Sequence, residues 1–288
     1  MKKNIRIIPK LDIKGPNLVK GIHLEGLRVL GQPEDYAKYY YESGADELIY
    51  MDVVASLYNR NSLHDIISRT AQQVFIPLTV GGGLRTIEDI RKVLRVGADK
   101  VVINTAAINN PNLIKDAANL FGSSTITISI EASKQKDGTY LAYTDNGREH
   151  TGIEVISWAS KTMQLGAGEI ILTSIDREGT GDGYDLELVK KVSEIVSIPV
   201  ISCGGAGKNS DVLDVIMSTN TDAVAISSML HYHFLKHSNR SIRTRAEGNT
   251  EFMKSGKTFS KIKTTDIRSL KKYLSHSDIL CRYEPSDR

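Results

Sequence analysis

Short apolar runs alternate with amphipathic stretches along this chain. Eight runs, Ile5–Leu11, Glu47–Met51, Phe75–Val80, Lys100–Ile103, Thr125–Ile130, Glu169–Thr173, Pro199–Ser202 and Asp222–Ile226, are four to seven residues long and read as buried strands. Between them, Pro33–Ser43, Thr86–Val96, Pro111–Leu120, Ile153–Leu165 and Asp185–Val196 have helical patterning. Strands alternating with helices predict a parallel sheet, and eight such units close into a (β/α)₈ TIM barrel with its helices outside.

The pattern repeats. Gly44-Ala45-Asp46-Glu47-Leu48-Ile49 resembles Gly166-Ala167-Gly168-Glu169-Ile170-Ile171, 122 positions later. At about the same offset, Ile76–Gly83 resembles Ile198–Gly207, and Ala98–Ile103 resembles Thr221–Ile226. Asp12 at the end of the first strand is matched by Glu131 at the end of the fifth. The expected architecture is one barrel of two (βα)₄ halves, 1–122 and 123–235, followed by a basic insertion over 236–263 and a last helix over 264–275.

Composition agrees with one such domain. The 288 residues are 40% hydrophobic and 25% charged, ordinary values for a soluble globular protein. Apolar runs such as Leu48–Met51 fall far short of a membrane span, and no signal-like apolar region follows Met1-Lys2-Lys3. A net charge of +3 gives no argument for nucleic acid. Two distant cysteines, Cys203 and Cys281, form neither a disulfide framework nor a metal motif, which fits a cytoplasmic protein. Neither a metal nor a cofactor is expected, since His231-Tyr232-His233 lacks a third ligand at readable spacing. Between Lys236 and Lys272 lie eleven Lys or Arg and three acidic residues, read as a solvated insertion or a docking surface for an acidic partner.

Chemistry in this fold gathers where the strands end. Gly81-Gly82-Gly83 follows the third strand and Gly204-Gly205-Ala206-Gly207 the seventh. Glycine lets backbone N–H groups approach a phosphate. The neighbouring fourth and eighth strands run into Asn104-Thr105-Ala106 and Ser227-Ser228, which could open helices whose N-termini favour anions. Two equivalent sites across one barrel mouth point to an elongated bisphosphate. Asp12 and Glu131 lie between them, placed for acid/base work or simply bonded to nearby backbone. The long segment Lys14–Gly31, carrying Lys20, is expected to be a loop, either a mobile lid or ordinary surface. Residues 132–152, with turn sequences Lys136-Asp137-Gly138 and Asp145-Asn146-Gly147, predict an inserted hairpin. At the opposite face, Arg6, Glu47, Lys100 and Glu169 start strands, where charges ordinarily form stabilising ion pairs or could ring the barrel axis.

Ile7-Ile8-Pro9-Lys10-Leu11-Asp12-Ile13-Lys14, Val19-Lys20-Gly21, Thr79-Val80-Gly81-Gly82-Gly83, Asn104-Thr105-Ala106-Ala107, Leu172–Arg177 and Gly204-Gly205-Ala206-Gly207 strongly resemble the HisF family, the cyclase subunits of imidazole glycerol phosphate synthase. The resemblance implies a bisphosphate ribonucleotide substrate, ammonia from a separate HisH-type glutaminase, and Asp12 and Glu131 as the acid/base pair. It implies substrate or phosphate contacts at Lys20, Gly82, Gly83, Asn104, Thr105, Thr173, Gly179, Gly205, Ser227 and Ser228. It also implies that Arg6, Glu47, Lys100 and Glu169 form a gate for ammonia.

Three features depart from the family pattern. Glu131 stands where the family usually has Asp, Asp176-Arg177-Glu178-Gly179-Thr180 where it has Asp-Arg-Asp-Gly-Thr, and the basic insertion is extra. Such changes suit a diverged paralogue. Retention of acidic residues at both catalytic positions and of both phosphate motifs keeps the ammonia-dependent cyclase of histidine biosynthesis as the first expectation; the alternatives are an ammonia-channelling subunit for acetamidino modification of a surface sugar, or a non-catalytic activator of a glutaminase.

Overall fold

The computed structural model describes residues 4–55, 63–237 and 261–282. Eight parallel strands form its centre: β1 (Arg6–Lys14), β4 (Leu48–Asp52), β5 (Leu78–Gly81), β6 (Lys100–Ile103), β7 (Ile126–Lys134), β10 (Glu169–Ser174), β11 (Val200–Cys203) and β12 (Ala223–Ile226). Each pairs with the next, β12 pairs with β1, and β7 with β10, so the sheet closes. The expected (β/α)₈ barrel is the observed fold.

Side-chain parity explains the strands' near-continuous hydrophobicity. In a barrel wall both faces are covered, one by the helices and one by the axis. On β1, Ile7, Leu11 and Ile13 pack in the shell beneath the helices. Ile8, one residue out of phase with Ile7, joins Ile49, Val102, Ile171, Ile201, Cys203, Ala223 and Ala225 in a separate cluster on the axis. Arg6, Lys10 and Asp12 share the face of Ile8 by the period of two.

The surrounding helices are α1 (Pro33–Glu42), α2 (His64–Ala71), α3 (Ile87–Arg95), α4 (Thr105–Asn109), α5 (Asn112–Phe121), α6 (Val155–Gln164), α7 (Leu186–Ile195), α8 (Asn209–Ser218), α9 (Ser228–His237) and α10 (Ile267–Ser275). Their starts follow local chemistry. Thr86 and Asp89 close a capping box on α3, Asp185 accepts from Leu188 N at 3.1 Å to start α7, and Pro33 occupies the first turn of α1. No described helix is long and apolar enough to cross a membrane.

Two antiparallel hairpins rise from the strand ends. β2 (Asn17–Ile22) and β3 (Glu25–Gly31) extend β1, with Asp12 opposite Val19. The segment expected as a loop is therefore a hairpin. β8 (Tyr140–Thr144) and β9 (Glu149–Glu154) extend β7, as the turn sequences predicted. Glu154 ends this hairpin and caps α6 through Ile156 N and Ser157 N, at 3.0 and 2.7 Å. The basic stretch expected as an insertion lies largely outside the described residues.

Candidate active site

The strand ends open into a cavity of about 310 Å³. Its walls include Lys10, Gly82, Gly83, Asn104, Thr105, Glu131 and Thr173. Gly82 has φ +99°, and a Cβ there would collide with the Asp52 carbonyl, so glycine is required by the close passage of two backbones. Asn104 donates to Tyr143 O at 3.2 Å, while its own buried Oδ1 has no hydrogen-bond partner. Such an acceptor costs free energy until a ligand or water satisfies it. Thr105 Oγ1 is shared with Asp145, accepting its N–H at 3.2 Å. Arg85 also lines this cavity, beside Gly82 and Gly83, and donates to Ala55 O at 2.9 Å.

A second recess lies across the mouth. It is lined by Lys20, Glu178, Gly179, Gly205, Ser227 and Ser228. Gly205 has φ +110° and presses against Gly183 O, again leaving no room for a Cβ. Ser227 Oγ donates to Lys10 O at 2.7 Å, so its backbone and lone pairs, rather than its proton, face the recess. The expected substrate and phosphate residues thus divide between two recesses: Gly82, Gly83, Asn104, Thr105 and Thr173 line the first, and Lys20, Gly179, Gly205, Ser227 and Ser228 line the second.

Asp12 joins the groups. Its Oδ1 accepts from Lys10, which lines the first cavity, and its Oδ2 lies 3.8 Å from Lys20 Nζ, which lines the second. Lys20 is also paired with Glu178. Burial alone would raise the Asp12 pKa, but Lys10 and Lys20 outweigh it and hold the carboxyl below its ordinary value. Glu131 is different. Burial pushes its carboxyl up to about 7, against the opposing pull of Gly147 N–H, Lys10 and Asn104. The bond from Gly147 N to Glu131 Oε2 is 2.7 Å. It is set by the Asp145-Asn146-Gly147 turn, whose first two residues have φ +53° and +59°. One carboxylate is therefore held charged and the other poised near neutrality, the electrostatic condition for a base and an acid in one site.

The two hairpins meet over this mouth. Asn146 Nδ2 donates to Leu24 O at 3.0 Å, and His23 N donates to Glu178 O at 2.8 Å. Lys20 is consequently only 3% exposed. The loop expected around Lys20 gives no sign of this docking, and the cavity residues Lys10 and Arg85 carry no sequence signal of their own. Glu178 was visible only as a departure from a motif.

At the other end of the axis four charges form a closed ring. Arg6 reaches Glu47 at 2.7 Å and Glu169 at 2.5 Å, and Lys100 reaches the same two glutamates at 3.0 and 3.2 Å. The apolar axial cluster separates this ring from Lys10 and Asp12. Cys203, at the end of β11, is buried and its thiol is pushed up to about 11, so it is inert. No group of three metal-ligating side chains occurs among the described residues.

Comparisons with known proteins identify the family. A family model described as histidine biosynthesis protein matches residues 6–236. Imidazole glycerol phosphate synthase subunit HisF of Legionella pneumophila is 62% identical over 205 residues, 71% of this chain and 97% of that protein. The subunit of the same name from Alkaliphilus metalliredigens is 46% identical over 228 residues, 79% of this chain and 90% of that protein. Its counterpart in Methanococcus vannielii is 47% identical over 247 residues, with 79% and 91% covered. The chain belongs to the HisF family of imidazole glycerol phosphate synthase subunits.

Proposed function

We propose that this chain is the ammonia-dependent cyclase of imidazole glycerol phosphate synthase. In that reading it converts a phosphoribulosyl-formimino carboxamide ribonucleotide to imidazole glycerol phosphate and an aminoimidazole carboxamide ribonucleotide. The observation that carries the reading is the split carboxylate pair between two glycine-bounded recesses. Gly82, Gly83, Asn104 and Thr105 take one phosphate; Gly179, Gly205, Ser227 and Ser228 take the other. Thr173 lines the first recess beside Glu131, and Lys20 closes over the bound substrate from its hairpin. Asp12, ionised, accepts a proton from the condensing nitrogen. Glu131, protonated, supplies one to the departing group.

Ammonia enters through the ring of Arg6, Glu47, Lys100 and Glu169 and rises along the apolar axis. A HisH-type glutaminase supplies it at that face. Strands begin and helices end there, and large apolar side chains are exposed at those positions. Phe75 precedes β5, while Leu120, Ile195 and Met217 lie in the last turns of α5, α7 and α8. Exposed apolar residues around a charged opening suit a protein partner. One rival, raised by the departures from the family pattern at Glu131 and Glu178, is a subunit delivering ammonia to a surface-sugar acceptor.

Turnover of the bisphosphate ribonucleotide with ammonium salts alone, abolished by Asp12→Asn, is the expected result. A folded but inactive wild type overturns the reading. Rescue of a histidine auxotroph lacking its cyclase, with a glutaminase supplied, separates the two acceptors: growth supports the histidine route, and failure supports the sugar.

A further inference from the structure

Lys10 is a lysine inside a barrel. It is 6% exposed, on the axial face of β1, above Ile8 and below Asp12. Taking an ammonium out of water is costly, so a fold keeps one there only with a partner. Its partner is Asp12 Oδ1. The same side chain lines the cavity that holds Glu131, Thr173 and Asn104.

The main chain under Lys10 is fixed as firmly as its head group. Its carbonyl accepts from Ser227 Oγ at 2.7 Å and from His231 Nε2 at 3.1 Å. His231 is fully buried, and burial holds its imidazole neutral, at about 3. With its proton on Nε2, its Nδ1 accepts from Tyr40 O–H at 2.6 Å. Helices α1 and α9 thus clamp the strand where Lys10 departs.

Other groups face Asp12: Lys20 from β2, His231 from α9, Cys203 from β11 and Glu131 from β7. His231 and Cys203 are uncharged at neutral pH. Lys20 lies at 3.8 Å and is shared with Glu178. Among the described residues, Lys10 is the cation hydrogen-bonded to Asp12, and Lys20 is the more distant ion-pair partner.

We propose that Lys10 is a positioning residue that fixes the Asp12 carboxylate as the charged member of the pair, leaving Glu131 to carry the proton. Lys10 does not itself become a nucleophile, because an ammonium bonded to a buried carboxylate does not release its proton. The assignment rests on the cyclase reading for its kinetic consequence, but not for its electrostatic one.

The test uses the full chain as wild type, Lys10→Met, Lys10→Arg and Lys20→Met. Carboxyl carbon resonances of labelled aspartate are titrated without substrate, with Asp12→Asn assigning the signal. Asp12 is expected to stay ionised to low pH in wild type, Lys10→Arg and Lys20→Met, and to titrate at markedly higher pH in Lys10→Met. With the bisphosphate ribonucleotide and ammonium salts, Lys10→Met is expected to lose about tenfold more rate at pH 6 than at pH 8, and Lys10→Arg to restore the profile. An unmoved Asp12 titration in Lys10→Met overturns the proposal. Should Lys10→Met fail to fold, a Lys20→Met chain in which Asp12 titrates high overturns it equally, and one in which it stays low supports it. A silent wild-type assay beside a shifted Asp12 signal overturns the cyclase reading while supporting the role of Lys10.

Discussion

Glu131 is a carboxyl whose environment is at odds with its ordinary chemistry. Its carboxyl titrates near 7 because the cavity wall excludes water, and Gly147 N–H returns only part of the lost solvation. Below its ordinary value near 4.5 the group is protonated whether folded or not, and costs nothing. Between about 4.5 and 7 the unfolded chain ionises this carboxyl while the folded chain keeps it protonated, so about 3 kcal/mol of stability is withdrawn by the time pH has passed 7. Glu131→Gln removes that ionisation while keeping an acceptor for Gly147. Calorimetry should therefore find the variant gaining several degrees over wild type at pH 8 and little at pH 5. The same change should lower kcat by roughly a hundredfold or more. In wild type, rate per free ammonia should fall as pH rises through about 7, and Glu131→Gln should erase that limb. A melting difference equal at both pH values would contradict the raised titration. The candidate carboxylates themselves were legible because the repeat placed them at equivalent strand ends. Lys10 was not legible. A barrel strand is apolar on both faces, so no alternation marks which polar residue points to the axis. Arg85 escaped because it follows the glycine turn in a loop, where an arginine has no pattern to break.

At the scale of elements, the strands were readable because their turns are punctuated, as in Gly44-Ala45-Asp46 before β4 and Gly166-Ala167-Gly168 before β10. The first hairpin was not. Gly15-Pro16, Gly21, Gly26 and Gly31 interrupt its alternation, and its pairing partner is β1, which looks complete without it. Its closed position comes from contacts distant in sequence, His23 on Glu178 and Asn146 on Leu24. The α1–α9 clamp is likewise invisible in sequence, since Tyr40 and His231 are 191 residues apart. Tyr40→Phe keeps the ring packing and removes one hydroxyl. It leaves a buried imidazole nitrogen unsatisfied, a cost of about 1–3 kcal/mol. A chain of this size should then melt roughly 2–4 °C lower per kcal/mol. An unchanged melting temperature would show that another group satisfies His231.

Across the whole molecule, the charged ring and the carboxylate pair occupy opposite ends of one apolar axis. Function at the two ends should therefore be separable. Lys100→Met leaves Glu47 and Glu169 with Arg6 as their remaining ring cation. Paired with a HisH-type glutaminase, this variant should lose more glutamine-driven than ammonium-driven turnover, shifting the ratio of the two rates by about tenfold, or ~1.4 kcal/mol. Equal loss of both rates would place the ring in the chemistry rather than in supply.

One feature of β1 bears on heredity. Arg6, Ile8, Lys10 and Asp12 hang from a single strand, at every second residue, so entrance, passage and reaction share one reading register. Removing one codon between Arg6 and Asp12 would turn part of that series outward into the helical shell. Mutational scanning should find substitutions at Ile7 or Leu11 tolerated far more often than any single-residue deletion in this strand. The tip of the β8–β9 hairpin, outside the barrel wall, should accept both.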